Sequence, residues 1–104
     1  MNISIDFDDT YTHDPQLWNQ FIRQAQAREH TVYCVTARGD RYADEVTEVL
    51  DSIGKLVSPQ NCIFTDGKPK RQFCWDKGIS IHVWIDDMPE AIPNNAGCLF
   101  PEDQ

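Results

Sequence analysis

Ile3-Ser4-Ile5-Asp6-Phe7-Asp8-Asp9-Thr10 begins with the apolar alternation of a half-buried strand and ends in three carboxylates within four positions. Like charges held that close favour protonation or a bound cation over free anions. In an extended chain residues i and i+2 point the same way, so Asp6 and Asp8 converge on one ion if the strand conformation continues. Hard oxygen ligands of this kind suit magnesium, which takes one or two carboxylates together with water and phosphate. A solvated, Asp-rich turn after a strand is the other reading of this stretch alone.

Outward from it, strand and helix alternate. Asn2–Asp6 is the first strand, and Asp14-Pro15 then reads as a cap and first helical position. Leu17, Trp18, Phe21, Ile22 and Ala25 recur at helical spacing from Pro15 to about Glu29. Thr31–Thr36 is a β-branched and aromatic run, short enough for a buried strand. The spacing predicts a second helix from about Arg41 to Ile53, with Tyr42, Val46, Val49, Leu50 and Ile53 inward and Gly54 ending it. Cys62–Thr65 is a third strand, and Lys70–Lys77 a short helix stopping at Gly78. Ile81–Ile85 is a fourth strand, and Cys98–Phe100 a fifth after a helical turn over Pro89–Ile92.

This β-α-β-α-β-α-β-α-β order predicts an α/β domain, a parallel sheet with helices on both faces, spanning 1–104 as one unit. The chain of 104 residues has room for a single core. Its formal net charge of −8 opposes attraction to nucleic acid or an anionic membrane. No apolar run reaches the length of a membrane span and acidic residues interrupt any signal-like start, so the expected location is cytoplasmic. Cys34, Cys62, Cys74 and Cys98 lack zinc-site spacing and read as reduced thiols. Trp18, Trp75 and Trp84 are expected in or near the core, and His82 in a strand beside buried Val83 and Ile85.

The polar residues fall asymmetrically. Asp6 and Asp8 follow the first strand, Thr36 and Arg38 the second, Asp66, Lys68 and Lys70 the third, Asp86 and Asp87 the fourth. All sit at carboxyl ends of the predicted strands, where open parallel sheets bind ligands. The amino ends carry milder residues: Asn2, Thr31, Asn61 and Ile81.

At these positions the chain resembles the haloacid dehalogenase superfamily of phosphohydrolases. Asp6-Phe7-Asp8-Asp9-Thr10 matches its D-x-D-x-T signature; Thr36, Lys70 (or Lys68) and Asp86-Asp87 follow in the family's order. The resemblance implies a three-layer, Rossmann-like fold with a five-stranded parallel sheet of order 5-4-1-2-3, which sets strands one and four side by side. It implies hydrolysis of phosphomonoesters: Asp6 the nucleophile that becomes an aspartyl-phosphate, and Asp8 the acid and base. It further implies Thr36 and Lys70 on the phosphoryl group, with Thr10, Arg38 and Lys68 as substrate-binding candidates. Mg2+ would be held by Asp6, the Asp8 backbone carbonyl, and Asp86 or Asp87. Asp86 is favoured because Asp-Asp-Met-Pro resembles the Asp-Asn-x-Pro of related phosphatases, and Asp9 occupies the variable position.

Neither Tyr11–Trp18 nor the interval between the second and third motifs has room for the cap domain of many relatives. The expected partner is a phosphorylated substrate (small molecule, peptide or nucleic-acid end) and no membrane. A receiver domain would order its acidic pair before the phosphorylated Asp and the Thr and Lys, the reverse of what stands here. A calcium loop starting at Asp6 would need glycine and glutamate where Tyr11 and Leu17 stand. The remaining alternative is a non-catalytic domain of the same fold that binds metal or a partner.

Overall fold

The computed structural model describes residues 1–92. Within them four parallel strands, β1 (Asn2–Ile5), β2 (Thr31–Thr36), β3 (Cys62–Phe64) and β4 (Val83–Ile85), form one sheet of order β3-β2-β1-β4. This corrects the five-stranded sheet expected from the sequence. The fifth strand, assigned to Cys98–Phe100, lies outside the described residues. The α/β class and the adjacency of strands one and four agree with that expectation.

β1 is central because its residues alternate between two buried faces. Ile3 and Ile5 pack with Val32, Cys34 and Cys62 on one side, under Ile22 and Ala25 of helix α1 (Pro15–Ala27). Val49, Ile53 and Val57, from α2 (Ala43–Leu50), the connecting turn and α3 (Gly54–Val57), complete that layer. On the opposite face Val35 and Ile63 meet Cys74 and Phe73 of α4 (Lys70–Asp76), together with Tyr33, Ile79 and Trp84. Parallel pairing with helices on both faces buries both sides of the sheet, which is why β2 is apolar nearly throughout. Each fully buried Ile or Val contributes roughly 1.5–3 kcal/mol.

Several boundaries differ from the sequence reading. Tyr42 is extended and 61% exposed, so α2 begins at Ala43 rather than Arg41, with the Tyr42 carbonyl accepting from Glu45 and Val46 N–H. Gly54 does not end α2; it starts α3. A Cβ there would lie 3.2 Å from the Val49 carbonyl oxygen, so glycine permits the close approach of two short helices. α1 stops at Ala27, and Glu29 takes a left-handed φ of 68° just before β2. β4 begins at Val83, which is exposed, and the His82 ring lies outside the strand with Nδ1 accepting from Asn2 N–H. Trp75 is 66% exposed on the outer side of α4, unlike Trp18 and Trp84, which pack against the two core clusters.

Because all four strands run the same way, Ile5, Thr36, Phe64 and Ile85 end on one side of the sheet. The ladder continues one step further where Asp6 N–H donates to the Ile85 carbonyl at 2.9 Å. That bond sets Asp6 beside Asp86. No helix among the described residues is long and apolar enough to cross a membrane.

Candidate active site

After Asp6 the chain turns through a wide loop, not a continued strand. Tyr11 N–H donates to the Asp6 carbonyl and Thr12 N–H to the Phe7 carbonyl, each across five residues. Asp8 is extended, and Asp9 is left-handed at φ 64°, a conformation Asp tolerates better than most residues. Phe7 and Tyr11, stacked with ring centroids 5.8 Å apart, anchor the loop in the core. The loop thereby sends Asp6 and Thr10 inward while Asp8 and Asp9 stay exposed.

Lys70, at the first position of α4, is almost fully buried, and its ammonium bridges two carboxylates. Nζ donates to Asp6 Oδ1 at 2.8 Å and to Asp86 Oδ2 at 2.5 Å. Asp86 Oδ1 accepts from Met88 N–H at 2.9 Å, which fixes its rotamer. The Thr10 hydroxyl lies 3.3 Å from Asp6 Oδ2 and 3.2 Å from Asp87 Oδ1, and accepts from Asp87 N–H. Its one proton reaches one carboxylate at a time. Asp6, Asp86 and Asp87 each offer an oxygen within 4.8 Å of the others, a spacing that one cation can span.

Burial pushes the Asp6 carboxyl up from 3.8 to about 6, against the opposing pull of the Lys70 ammonium. Burial alone would lower Lys70, but its hydrogen bonds to Asp6 and Asp86 outweigh it and hold the ammonium charged. The two directions are compatible because one cation is divided between two anions. Lys70 is over-compensated; Asp6 is under-compensated. Three carboxylates against one ammonium leave a surplus of negative charge.

Asp8 is engaged elsewhere. Arg38 grips its carboxylate with Nε and one terminal nitrogen, both at 2.9 Å. The other terminal nitrogen donates to Glu48 at 2.8 Å and to the Glu45 carbonyl. The guanidinium also lies 4.8 Å from the Phe7 ring centroid. These bonds, Asp8 first, raise the Arg38 pKa further above its ordinary value. Arg38 therefore fastens the β1 loop to α2.

The sequence-predicted residues thus divide. Asp6, Thr10, Lys70, Asp86 and Asp87 converge. A cleft of about 90 Å³ is lined by Asp6, Asp8, Lys70, Asp86 and Asp87, with Ala37 contributing from the second strand's loop. Thr36 is fully buried one residue away, its hydroxyl accepting from Arg38 N–H at 3.2 Å. Lys68 is exposed in the Asp66-Gly67 turn and does not line the cleft. A larger cleft of about 550 Å³ opens beside Ile63, Phe73 and Lys77, and no residue of the acidic cluster lines it. The sequence reading missed Glu48, whose position on α2 toward Arg38 is set by tertiary structure, and the Met88 N–H that orients Asp86.

Cysteine supplies no rival nucleophile among the described residues. Burial raises the thiols of Cys34, Cys62 and Cys74, the last two to about 11, so all three are protonated at neutral pH. Comparison with protein-family models, with curated proteins and with solved structures gave no match.

Proposed function

We propose that this chain is a magnesium-dependent phosphomonoester hydrolase working through an aspartyl-phosphate on Asp6. The observation that carries the reading is the buried Lys70 ammonium joining Asp6 to Asp86 at the carboxyl ends of adjacent strands. The likeness of Asp6–Thr10, Thr36, Lys70 and Asp86-Asp87 to the haloacid dehalogenase motifs supports it as well.

In this reading Asp6 attacks phosphorus, and the P–O bond to the alcohol breaks as the alcohol takes a proton from Asp8. Water then cleaves the acyl phosphate, returning a proton to Asp8 and releasing inorganic phosphate. Lys70 orients Asp6 and offsets phosphoryl charge, and Thr10 steadies the oxygen of Asp6 that Lys70 does not hold. Thr36, buried behind the cleft, acts on the loop through its bond from Arg38 N–H. Asp8 is half exposed, so its carboxylate is free to leave Arg38, and in this reading it takes from water the proton that it passes to the leaving group. The exchange leaves Arg38 available to a substrate oxygen.

The donor set fits a magnesium ion. Asp6, Asp86 and Asp87 would hold it, since all are hard oxygen donors and their surplus charge matches a divalent cation. When bound, magnesium supplies positive charge against the phosphoryl oxygens. Hydrolysis of an aryl phosphate in the presence of magnesium, abolished by Asp6→Asn, is the expected outcome; undiminished turnover by that variant overturns the nucleophile assignment. The Arg38 grip on Asp8 favours a second reading, a metal- or partner-binding domain with its acid/base neutralised. Metal-dependent stabilisation without turnover on a broad phosphomonoester panel would select it.

A further inference from the structure

A second cleft, of about 290 Å³, adjoins the catalytic one and shares Asp9, Asp86 and Asp87 with it. The two differ in chemistry. The smaller holds Lys70 and has room for little beyond a phosphoryl group. The larger is walled by Leu17, Trp18 and Ile85, and no lysine or arginine among the described residues lines it. Leu17 is half exposed at the mouth, an apolar side chain that does not reach the core cluster. Trp18 is half-buried and held edge-on to Phe21 at 5.9 Å, so its ring is a fixed wall. Asp14 also lines it, with its carboxylate capping α1 through Leu17 N–H.

We infer that this cleft is the leaving-group subsite and that it takes an uncharged, ring-sized aromatic alcohol. The inference rests on the phosphomonoesterase reading above for its naming of substrate. Three observations converge on it. Continuity through Asp9, Asp86 and Asp87 sets an ester's alcohol portion there when its phosphoryl group is at Lys70. The apolar wall with a fixed indole suits a planar ring, which gains by stacking or edge contact. Asp9 and Asp14, which the magnesium set does not include, line it too, and no lysine or arginine among the described residues does, so a second anionic group on the substrate is repelled.

Free alcohols test this independently of turnover. Phenol and 4-hydroxybenzoate are titrated into the full chain while the Trp18 indole N–H resonance, assigned with Trp18→Phe, is followed beside that of Trp84. The expected result is a saturable shift at Trp18 with phenol, and about tenfold weaker binding of 4-hydroxybenzoate. Leu17→Lys should close that gap, because a cation at the mouth offsets the rim. The same ratio should appear in kcat/KM for phenyl phosphate against 4-carboxyphenyl phosphate. Absence of the Trp18 shift, equal affinity for the two alcohols, or an unchanged preference in Leu17→Lys overturns the subsite. A chain that binds phenol at Trp18 but hydrolyses no ester keeps the subsite and loses the chemistry; aryl phosphatase activity without a Trp18 shift does the reverse.

Discussion

Replacing Asp6 by asparagine removes a charge from a position where burial opposes it, so the variant is expected to be more stable than the wild type near neutral pH. The distance from 3.8 to about 6 amounts to roughly 3 kcal/mol at about 1.36 kcal/mol per pH unit, and Asp6 is 6% exposed, so solvent screens little of it. The sign follows from linkage. A carboxyl whose pKa is higher folded than unfolded favours folding in its protonated form, fully below about 3.8, and loses that contribution as pH rises through about 6. Asparagine imitates the protonated form at every pH and keeps an oxygen for Lys70. The gain of Asp6→Asn is therefore roughly 3 kcal/mol near pH 7 and under about 1 kcal/mol near pH 4. Urea unfolding of both proteins from pH 4 to pH 8, with a chelator present, measures the difference directly. A variant less stable than wild type at pH 7, or a difference that does not change with pH, would refute the reasoning. The first would mean that attraction to Lys70 exceeds the cost of burying the charge, the second that the two balance.

Lys70→Met should cost about 3–5 kcal/mol at pH 7, since it leaves Asp6 and Asp86 facing each other without a cation, and the cost should shrink towards pH 5 as Asp6 takes a proton. Unfolding curves at the two pH values check it. Magnesium at about a hundred times its dissociation constant should stabilise the wild type by about 2.7 kcal/mol, and less in Asp87→Asn, as read by thermal denaturation. Beryllium fluoride added with magnesium should raise Tm further in the wild type and not in Asp6→Asn. Arg38→Met should lower stability by about 1–3 kcal/mol, because the β1 loop loses its tie to α2; an unchanged urea midpoint would count against that tie.

Much of the site is legible in the sequence because parallel β/α units direct strand-end residues to one side whatever their detailed packing. Asp6, Lys70, Asp86 and Asp87 come together for that reason. Side-chain direction inside the loops is not legible. Asp6 and Asp8, two apart, would share a face only if the strand went on; the wide turn at Phe7–Tyr11 separates them and hands Asp8 to Arg38. Arg38 reads in the sequence as a substrate-binding candidate, and nothing local announces its bonds to Glu48 and the Glu45 carbonyl. The same limit appears in the fold. Tyr42, Trp75 and Val83 have the residue types of core positions, yet remain exposed, outside both core clusters of the described residues. Gly54 carries the signal of a helix end, and its use is the room it leaves for the Val49 carbonyl.

The pairing of β1 with β4 also bears on how quickly the site can form. Asn2 meets His82 across 80 positions of sequence, Thr10 meets Asp87 across 77, and Asp6 meets Lys70 across 64. Contacts this distant close large loops, and loop-closure entropy delays them relative to the local β1–α1–β2 unit. Refolding chains should therefore acquire helix signal and the buried environment of Ile22 before Lys70 meets Asp6. The ion pair between Lys70 and Asp6 then becomes a late kinetic marker, arriving only with the last register of the sheet.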